Sequence, residues 1–154
     1  MTTALERLLA ILPTPPVPGG PASAIEGVVV DGDTAWVSGV VAFNGAEKPK
    51  PGKVGLTVTV EEGAQHAALA AANGLHRLVQ ALGSLDRIDR ILKLTVFVNA
   101  TDSLTEHPQV ANGASRVLRE VLGDRGRHAR SAIGCASLPL GAPVEIEMIV
   151  RVGT

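Results

Sequence analysis

The spacing of apolar residues divides the chain into stretches typical of strands and stretches typical of helices. Residues 25–30 and 34–41 are rich in β-formers and flank Asp31-Gly32, a dipeptide common in two-residue hairpin turns. Residues 44–52 contain Gly, Pro and Lys without a hydrophobic period, whereas residues 53–58 have the composition of a short strand. The pattern predicts an antiparallel hairpin, then an exposed loop and a third strand.

Two later segments repeat apolar residues every three or four positions, as amphipathic helices do. The first follows Thr59-Val60-Glu61-Glu62, which has the form of a capping box, and Gly83 is suited to its C-terminal cap. The second covers about residues 108–122, with Pro108 near its start and Gly123 after its end. Residues 3–12 predict another short helix, followed by a proline-rich connector at residues 13–21.

Further strands are predicted at residues 88–98, 129–136 and 144–150, which gives the order β-β-β-α-β-α-β-β. This order indicates an α+β fold with a single mixed β-sheet and two helices packed on one face. The opposite face must then be buried by another subunit or carry a site. We divide the chain into an N-terminal helix and Pro-rich connector, residues 1–22, and an α+β domain, residues 23–154.

Composition and charge exclude several classes of protein. The 154 residues suit one domain, the 14 Lys and Arg nearly balance the 15 Asp and Glu, and no basic stretch is interleaved with aromatic residues as on a typical nucleic-acid surface. A single cysteine allows no intramolecular disulfide, and no Cys/His spacing is typical of zinc. The apolar residues 8–12 are too few to span a membrane. We therefore expect a cytoplasmic protein with no membrane contact, and the composition does not favour a nucleic-acid partner.

Arg130 is the strongest candidate for binding chemistry. Strand alternation places it on one face with Ala132 and Gly134, whose small side chains leave open space beside the guanidinium. If the apolar sides of the last two strands face the helices, Glu145 and Glu147 share the outer face with Arg130. The arginine then either binds a carboxylate or forms a structural ion pair with one of these glutamates, and the residues alone leave both readings open.

Other side chains receive simpler interpretations. His128 is a candidate pocket residue because it lies two positions before Arg130 on the same face. Cys135 is expected on the core face, and Trp36 is expected in the core. His66 and His76 are expected in solvent on the first long helix, and His107 is expected to begin the second.

Several motifs resemble the YjgF/RidA family, whose members include endoribonuclease L-PSP-like and reactive intermediate deaminase-like proteins. The strongest is Ala129-Arg130-Ser131-Ala132-Ile133-Gly134-Cys135-Ala136-Ser137-Leu138-Pro139, followed by Val144-Glu145-Ile146-Glu147. Trp36-Val37-Ser38-Gly39, Leu94-Thr95-Val96-Phe97-Val98 and Val110-Ala111-Asn112-Gly113 match in the same order, so the likeness spans most of residues 25–152. The resemblance implies a chorismate-mutase-like fold and a homotrimer with clefts between subunits.

The resemblance also implies an activity, since the best-studied members hydrolyse imines and enamines such as 2-iminobutyrate and 2-aminoacrylate to 2-keto acids and ammonia. By this likeness Arg130 binds the substrate carboxylate and Glu145 holds the attacking water. The remaining implied pocket residues are Ser38, Gly39, Phe97 and Asn112. No metal or organic cofactor is required.

Two alternatives to a 2-iminobutanoate/2-iminopropanoate deaminase-type hydrolase stay open. One is a non-catalytic binder of small carboxylate metabolites in the same inter-subunit cleft. The other is the ribonuclease activity attributed to some relatives, against which the near-neutral charge and scarce aromatic residues argue. The chain departs from the family pattern at Val40, His128 and Ala132, and these differences leave the substrate itself open.

Overall fold

The structure of the protein, a computed structural model, describes residues 1–16 and 24–153. Within these residues the chain folds into helices and strands in the following order: α1 (Ala4–Ile11), β1 (Val28–Asp31), β2 (Thr34–Val41), α2 (Val60–Leu82), β3 (Ile88–Asn99), α3 (His107–Leu122), β4 (Ala129–Cys135) and β5 (Val144–Val152). The last part of the predicted connector lies outside the described residues.

The five strands form one mixed sheet in the order β1-β2-β5-β3-β4. All neighbours are antiparallel except β3 and β4, which pair in parallel and leave β4 at an edge. Helices α2 and α3 pack on the same face, where they cover the apolar side of the central strands. We call this the helix face and the opposite one the outer face. The predicted α+β fold with one mixed sheet and helices on a single face is confirmed.

Local sequence signals account for the boundaries of these elements. Thr59 and Glu62 form the predicted capping box of α2, and Gly83 ends the helix in the left-handed conformation, with φ 82°. Asp31 pairs with Thr34 across the two-residue turn that joins β1 to β2. Where α2 crosses α3, a methyl group on Gly113 would lie 1.8 Å from the Ala64 carbonyl oxygen, so the two helices are in backbone contact.

The N-terminal helix belongs to the same hydrophobic core as the rest of the fold. Leu8 and Leu12 of this segment are fully or almost fully buried. Arg7 donates from Nε and Nη2 to the Val121 carbonyl at 3.0 and 2.6 Å, which ties α1 to the end of α3. His76 Nε2 lies 2.9 Å from the Leu12 carbonyl and is therefore its donor.

That contact overturns the expectation that His76 is solvated. His76 is buried because α1 covers the face of α2 on which it lies, a contact that the α2 sequence cannot reveal. His66 is half-buried, and burial lowers its pKa.

Residues 53–58 do not form the predicted third strand. The amides of Leu56, Thr57 and Val58 all donate to the Lys53 carbonyl, and Gly55 has φ 91°. These bonds close a turn in which Val54 makes only isolated bridges, so the sheet formed by the described residues has five strands rather than the six predicted. Within the described residues, no helix has the length and apolar character needed to cross a membrane.

Candidate functional site

Arg130 lies on the helix face of edge strand β4, not on the outer face as predicted. Its direct partner in β3 is Leu94, which is fully buried, and residues paired directly across strands point to the same side. The alternation within β4 is as predicted, but its apolar residue Ile133 is the one turned outward, with 46% of its surface exposed. The assumption that the apolar side of β4 faces the helices was therefore wrong.

The side chain of Arg130 is anchored to α3 through one nitrogen. Nη1 donates to Asn112 Oδ1 at 2.8 Å and to Ser115 Oγ at 3.1 Å. These two bonds use both Nη1 protons. Within residues 1–16 and 24–153, Nε and Nη2 have no acceptor. The half-buried guanidinium thus presents two free donors of its planar fork, the geometry that binds a carboxylate bidentately.

His128 extends this network by two further hydrogen bonds. Nδ1 lies 2.6 Å from the Gly126 carbonyl, so it is the protonated nitrogen of the ring. Nε2 is then free to accept from Ser115 Oγ, 2.9 Å away. Burial lowers the pKa of His128, the positive charges of Arg130 and Arg119 act in the same direction, and the Gly126 bond opposes them. The neutral ring is therefore favoured.

Glu145 lies on the outer face, directly opposite Phe97 of β3 and Val41 of β2. Its carboxylate covers Gly39, where a methyl group would lie only 2.0 Å from Oε1. Burial raises the pKa of Glu145, Glu147 raises it further, and the positive charge of Arg77 opposes both. A carboxyl with a raised pKa, held over exposed backbone, is suited to accept a proton from water.

The backbone under Glu145 is held by a bulge in β2. The register against β5 shifts between Val37 and Val40, so Ser38 and Gly39 bend out of the regular ladder. Arg77 Nη1 lies 3.3 Å from each of their carbonyl oxygens. Ser38 Oγ donates to the Glu26 carbonyl at 2.6 Å, which fixes the bulge from the β1 side.

The predicted site residues therefore fall into two groups on opposite faces of the sheet. The arginine cluster contains Arg130, Asn112, Ser115 and His128. The glutamate cluster contains Glu145, Glu147, Ser38, Gly39 and Phe97 on the outer face, together with Arg77, which reaches the Ser38 and Gly39 carbonyls from α2. The residue predicted to bind the carboxylate and the residue predicted to hold the water therefore lie on opposite faces of one sheet, and the sheet separates them within a protomer.

Two members of these clusters were missed by the sequence reasoning. Ser115 follows Asn112 by three residues, so helical spacing alone places both on one face of α3. That signal was available. Arg77 lies in a long helix with other polar positions, and nothing in the local pattern connects it to a bulge in β2.

Cys135 and Trp36 are both on the outer face, contrary to the expectation that they belong to the core. Cys135 pairs with Asn99 and is partly exposed, because Ile133 and Cys135 share the side of β4 that faces away from the helices. Trp36 is 49% exposed for the same reason in β2. His107 begins α3 as predicted, and with Cys135 it borders a cavity of about 290 Å³.

A larger cavity of about 420 Å³ lies between residues 50–58 and the start of α2, where no predicted site residue lines it. Among the residues described, no group of three or more His, Cys, Asp and Glu side chains is arranged to hold a metal ion.

The topology and layering define an α+β protein of the chorismate-mutase-like class. The chain belongs to the family described as "YjgF/chorismate_mutase-like, putative endoribonuclease", whose model matches residues 16–150. It is 41% identical over 137 residues to Protein TCP17 of Trypanosoma cruzi, covering 88% of this chain and 86% of that protein.

Two solved structures share both fold and sequence with this chain. A protein of unknown function from Agrobacterium tumefaciens is 36% identical with a TM-score of 0.90, over 99% of this chain and 94% of that one. A protein described as "a putative endoribonuclease", from Shewanella oneidensis MR-1, is 30% identical with a TM-score of 0.85, over 98% of this chain and 100% of that one.

Proposed function

We propose that this protein is a deaminase that hydrolyses reactive imine and enamine intermediates of the 2-iminobutyrate or 2-aminoacrylate kind. The products are a 2-keto acid and ammonia. The observation that carries the proposal is the Arg130 guanidinium, whose Nη1 is saturated by Asn112 and Ser115 while Nε and Nη2 remain available within the described residues. A small carboxylate fits those two donors.

The reaction needs few groups beyond this anchor. Glu145 orients a water and accepts its proton while the oxygen attacks the carbon of the protonated imine. The proton then passes to nitrogen, the C–N bond breaks and ammonia leaves, and loss of the hydroxyl proton gives the keto acid. An enamine enters after protonation at its terminal carbon, which converts it to the imine. Water supplies the oxygen, so no oxidant or reductant is consumed.

Because the two clusters lie on opposite faces, the proposal includes a homotrimer with sites between subunits. The arginine cluster lies at edge strand β4 of one protomer, and the glutamate cluster of a neighbour completes the site. Two features support this assembly. Edge strand β4 pairs with only one strand of the described sheet. On the outer face, Val29, Trp36 and Ile133 each have 46–49% of their surface exposed.

The Shewanella relative is described as "a putative endoribonuclease". For this chain we favour a small metabolite as the substrate. The net charge of −1 offers little attraction to a polyanion, and the chain has one Trp, two Phe and no Tyr for base stacking. A carboxylate matches the two free donors of Arg130 without further groups.

The direct test measures loss of 2-iminobutyrate, generated from threonine by a dehydratase, with wild type, Arg130→Ala and Arg116→Ala. Arg116 is an exposed arginine of α3 outside the arginine cluster and serves as the matched control. We expect Arg130→Ala alone to lose activity. Equal rates for wild type and Arg130→Ala would refute the role of Arg130. Binding of 2-oxobutyrate that depends on Arg130, without turnover of fresh imine, would instead identify a carboxylate-binding protein.

Subunit mixing tests the shared site. Arg130→Ala and Glu145→Gln protomers are each expected to be inactive alone, because every site lacks one half. After unfolding and refolding together in equal amounts, about one quarter of the sites should combine an intact arginine with an intact glutamate. No recovered activity would show that the two residues do not act in one inter-subunit site.

A further inference from the structure

We propose that Ser115 and His128 are positioning residues that hold the Arg130 guanidinium in the orientation required for the substrate carboxylate. The inference rests on the proposed function, in which Arg130 is the carboxylate anchor. It adds two residues that do not themselves contact the substrate.

The hydrogen bonds run in one direction through the cluster. His128 Nδ1 donates to the Gly126 carbonyl at 2.6 Å, which leaves Nε2 as an acceptor. Ser115 has one hydroxyl proton, and it is directed to Nε2 at 2.9 Å. A lone pair of the same oxygen therefore faces Arg130 Nη1, which donates to it at 3.1 Å. Loss of the acceptor at His128 Nε2 therefore changes the orientation of the Ser115 hydroxyl and weakens its bond from Arg130 Nη1.

This chain of bonds matters because an arginine side chain is otherwise flexible. The bonds from Nη1 to Ser115 Oγ and Asn112 Oδ1 fix the plane of the guanidinium and so direct Nε and Nη2. A ligand that meets a prearranged fork loses less rotational freedom on binding. The hydrogen bond to Asn112 alone can hold Nη1, but the guanidinium plane can still rotate about that one hydrogen bond.

The charges around His128 favour the neutral ring. The chain of hydrogen bonds from the Gly126 carbonyl through His128 and Ser115 to Arg130, which we call the relay, requires this form because Nε2 must accept. The ring contacts Ser115 from α3 and the Gly126 carbonyl from the preceding turn, and the charged groups that act on it are Arg130 of β4 and Arg119 of α3. Both are cationic, so they oppose a second proton on the ring. A protonated ring would be a donor at Nε2 and would force the Ser115 proton away.

Two substitutions at His128 separate the two ring nitrogens. His128→Asn keeps a donor near the position of Nδ1 but removes the acceptor near Nε2, whereas His128→Gln can keep an acceptor near Nε2. With 2-oxobutyrate as the probe in titration calorimetry, we expect Ser115→Ala and His128→Asn to raise Kd by about threefold to tenfold. His128→Gln should recover most of the affinity. Thermal melting checks that each variant is folded. If Ser115→Ala does not fold, the comparison of His128→Asn with His128→Gln still tests the proposal.

A spectroscopic measurement tests positioning without the ligand. Slow rotation of the Arg130 guanidinium, seen as separate Nη signals in ¹⁵N spectra, should be lost in Ser115→Ala and His128→Asn and retained in His128→Gln. Wild-type affinity and wild-type Nη signals in Ser115→Ala and His128→Asn would overturn the relay, while loss of binding in Arg130→Ala would still support the anchor. Unchanged binding in Arg130→Ala would instead refute Arg130 as the carboxylate anchor, and the positioning role of Ser115 and His128 would be refuted with it.

Discussion

Replacing Gly39 by alanine tests the catalytic half of the site while leaving the arginine cluster intact. The added methyl group would lie 2.0 Å from Glu145 Oε1 and 3.1 Å from its Cδ. The obstacle is the end of a flexible side chain, so the carboxylate moves rather than the sheet. Gly27→Ala is the matched control, because a methyl group there makes an ordinary 3.6 Å contact with Arg77 Cδ.

The size of the effect follows from the displacement. Ordinary contacts begin at 3.4 Å, so Oε1 must retreat by about 1.4 Å. A misplacement of about 1 Å in a reacting group can cost roughly 100-fold in rate. We expect kcat for imine hydrolysis to fall by roughly this factor in Gly39→Ala, with a melting temperature within about 3 °C of wild type.

The assay compares kcat and the Kd of 2-oxobutyrate for wild type, Gly39→Ala and Gly27→Ala. The expected pattern is a loss of kcat in Gly39→Ala alone, with Kd changed far less because the Arg130 fork that the neighbouring protomer supplies is left intact. A wild-type kcat in a folded Gly39→Ala protein would refute the placement of Glu145 at the reaction. A large loss of stability would show that the sheet, not the carboxylate, yields.

Three further predictions concern stability and pH. Gly113→Ala places a methyl group 1.8 Å from backbone of α2 and should cost about 3 kcal/mol, lowering the melting temperature by roughly 6 °C or more; an unchanged value would contradict the backbone contact. Glu147→Gln removes one cause of the raised pKa of Glu145, so the acid limb of the kcat profile should shift to lower pH, and a fixed limb would exclude that coupling. The pKa of His128 is lowered by folding, so its contribution to stability is present above pH 6.5 and is lost as pH falls through the lowered value. Melting curves should therefore show a smaller acid loss in His128→Gln than in wild type, and equal losses would count against a buried neutral ring.

Most of the fold could be predicted because its signals are local. The Thr59 capping box, the left-handed Gly83 and the Asp31-Gly32 turn each depend on neighbours within a few residues. The prediction of a strand at residues 53–58 was wrong because it depended on their β-forming side chains. These do not reveal that three backbone amides donate to the Lys53 carbonyl and close a turn. The burial of His76 depends on the N-terminal segment that contains α1. Leu12, whose carbonyl accepts from His76, is more than 60 residues away in sequence.

The site was harder to predict because alternation along a strand does not say which side faces the helices. The apolar Ile133 suggested the inward side of β4, yet β4 is an edge strand that α3 covers only in part. Arg130 can face inward there because Asn112 and Ser115 supply its acceptors. Apart from Ser115 and Arg77, the residues of both clusters could be named as candidates from sequence, whereas their division between two faces required the register.

The position of Trp36 gives the molecule a built-in optical probe. It is the one tryptophan in a chain without tyrosine, so the intrinsic indole fluorescence comes from one place on the outer face. Covering that face would move its emission to shorter wavelengths, and dilution into separate protomers would move it back. The emission maximum therefore follows subunit association without a label, in the same cuvette in which imine loss is recorded.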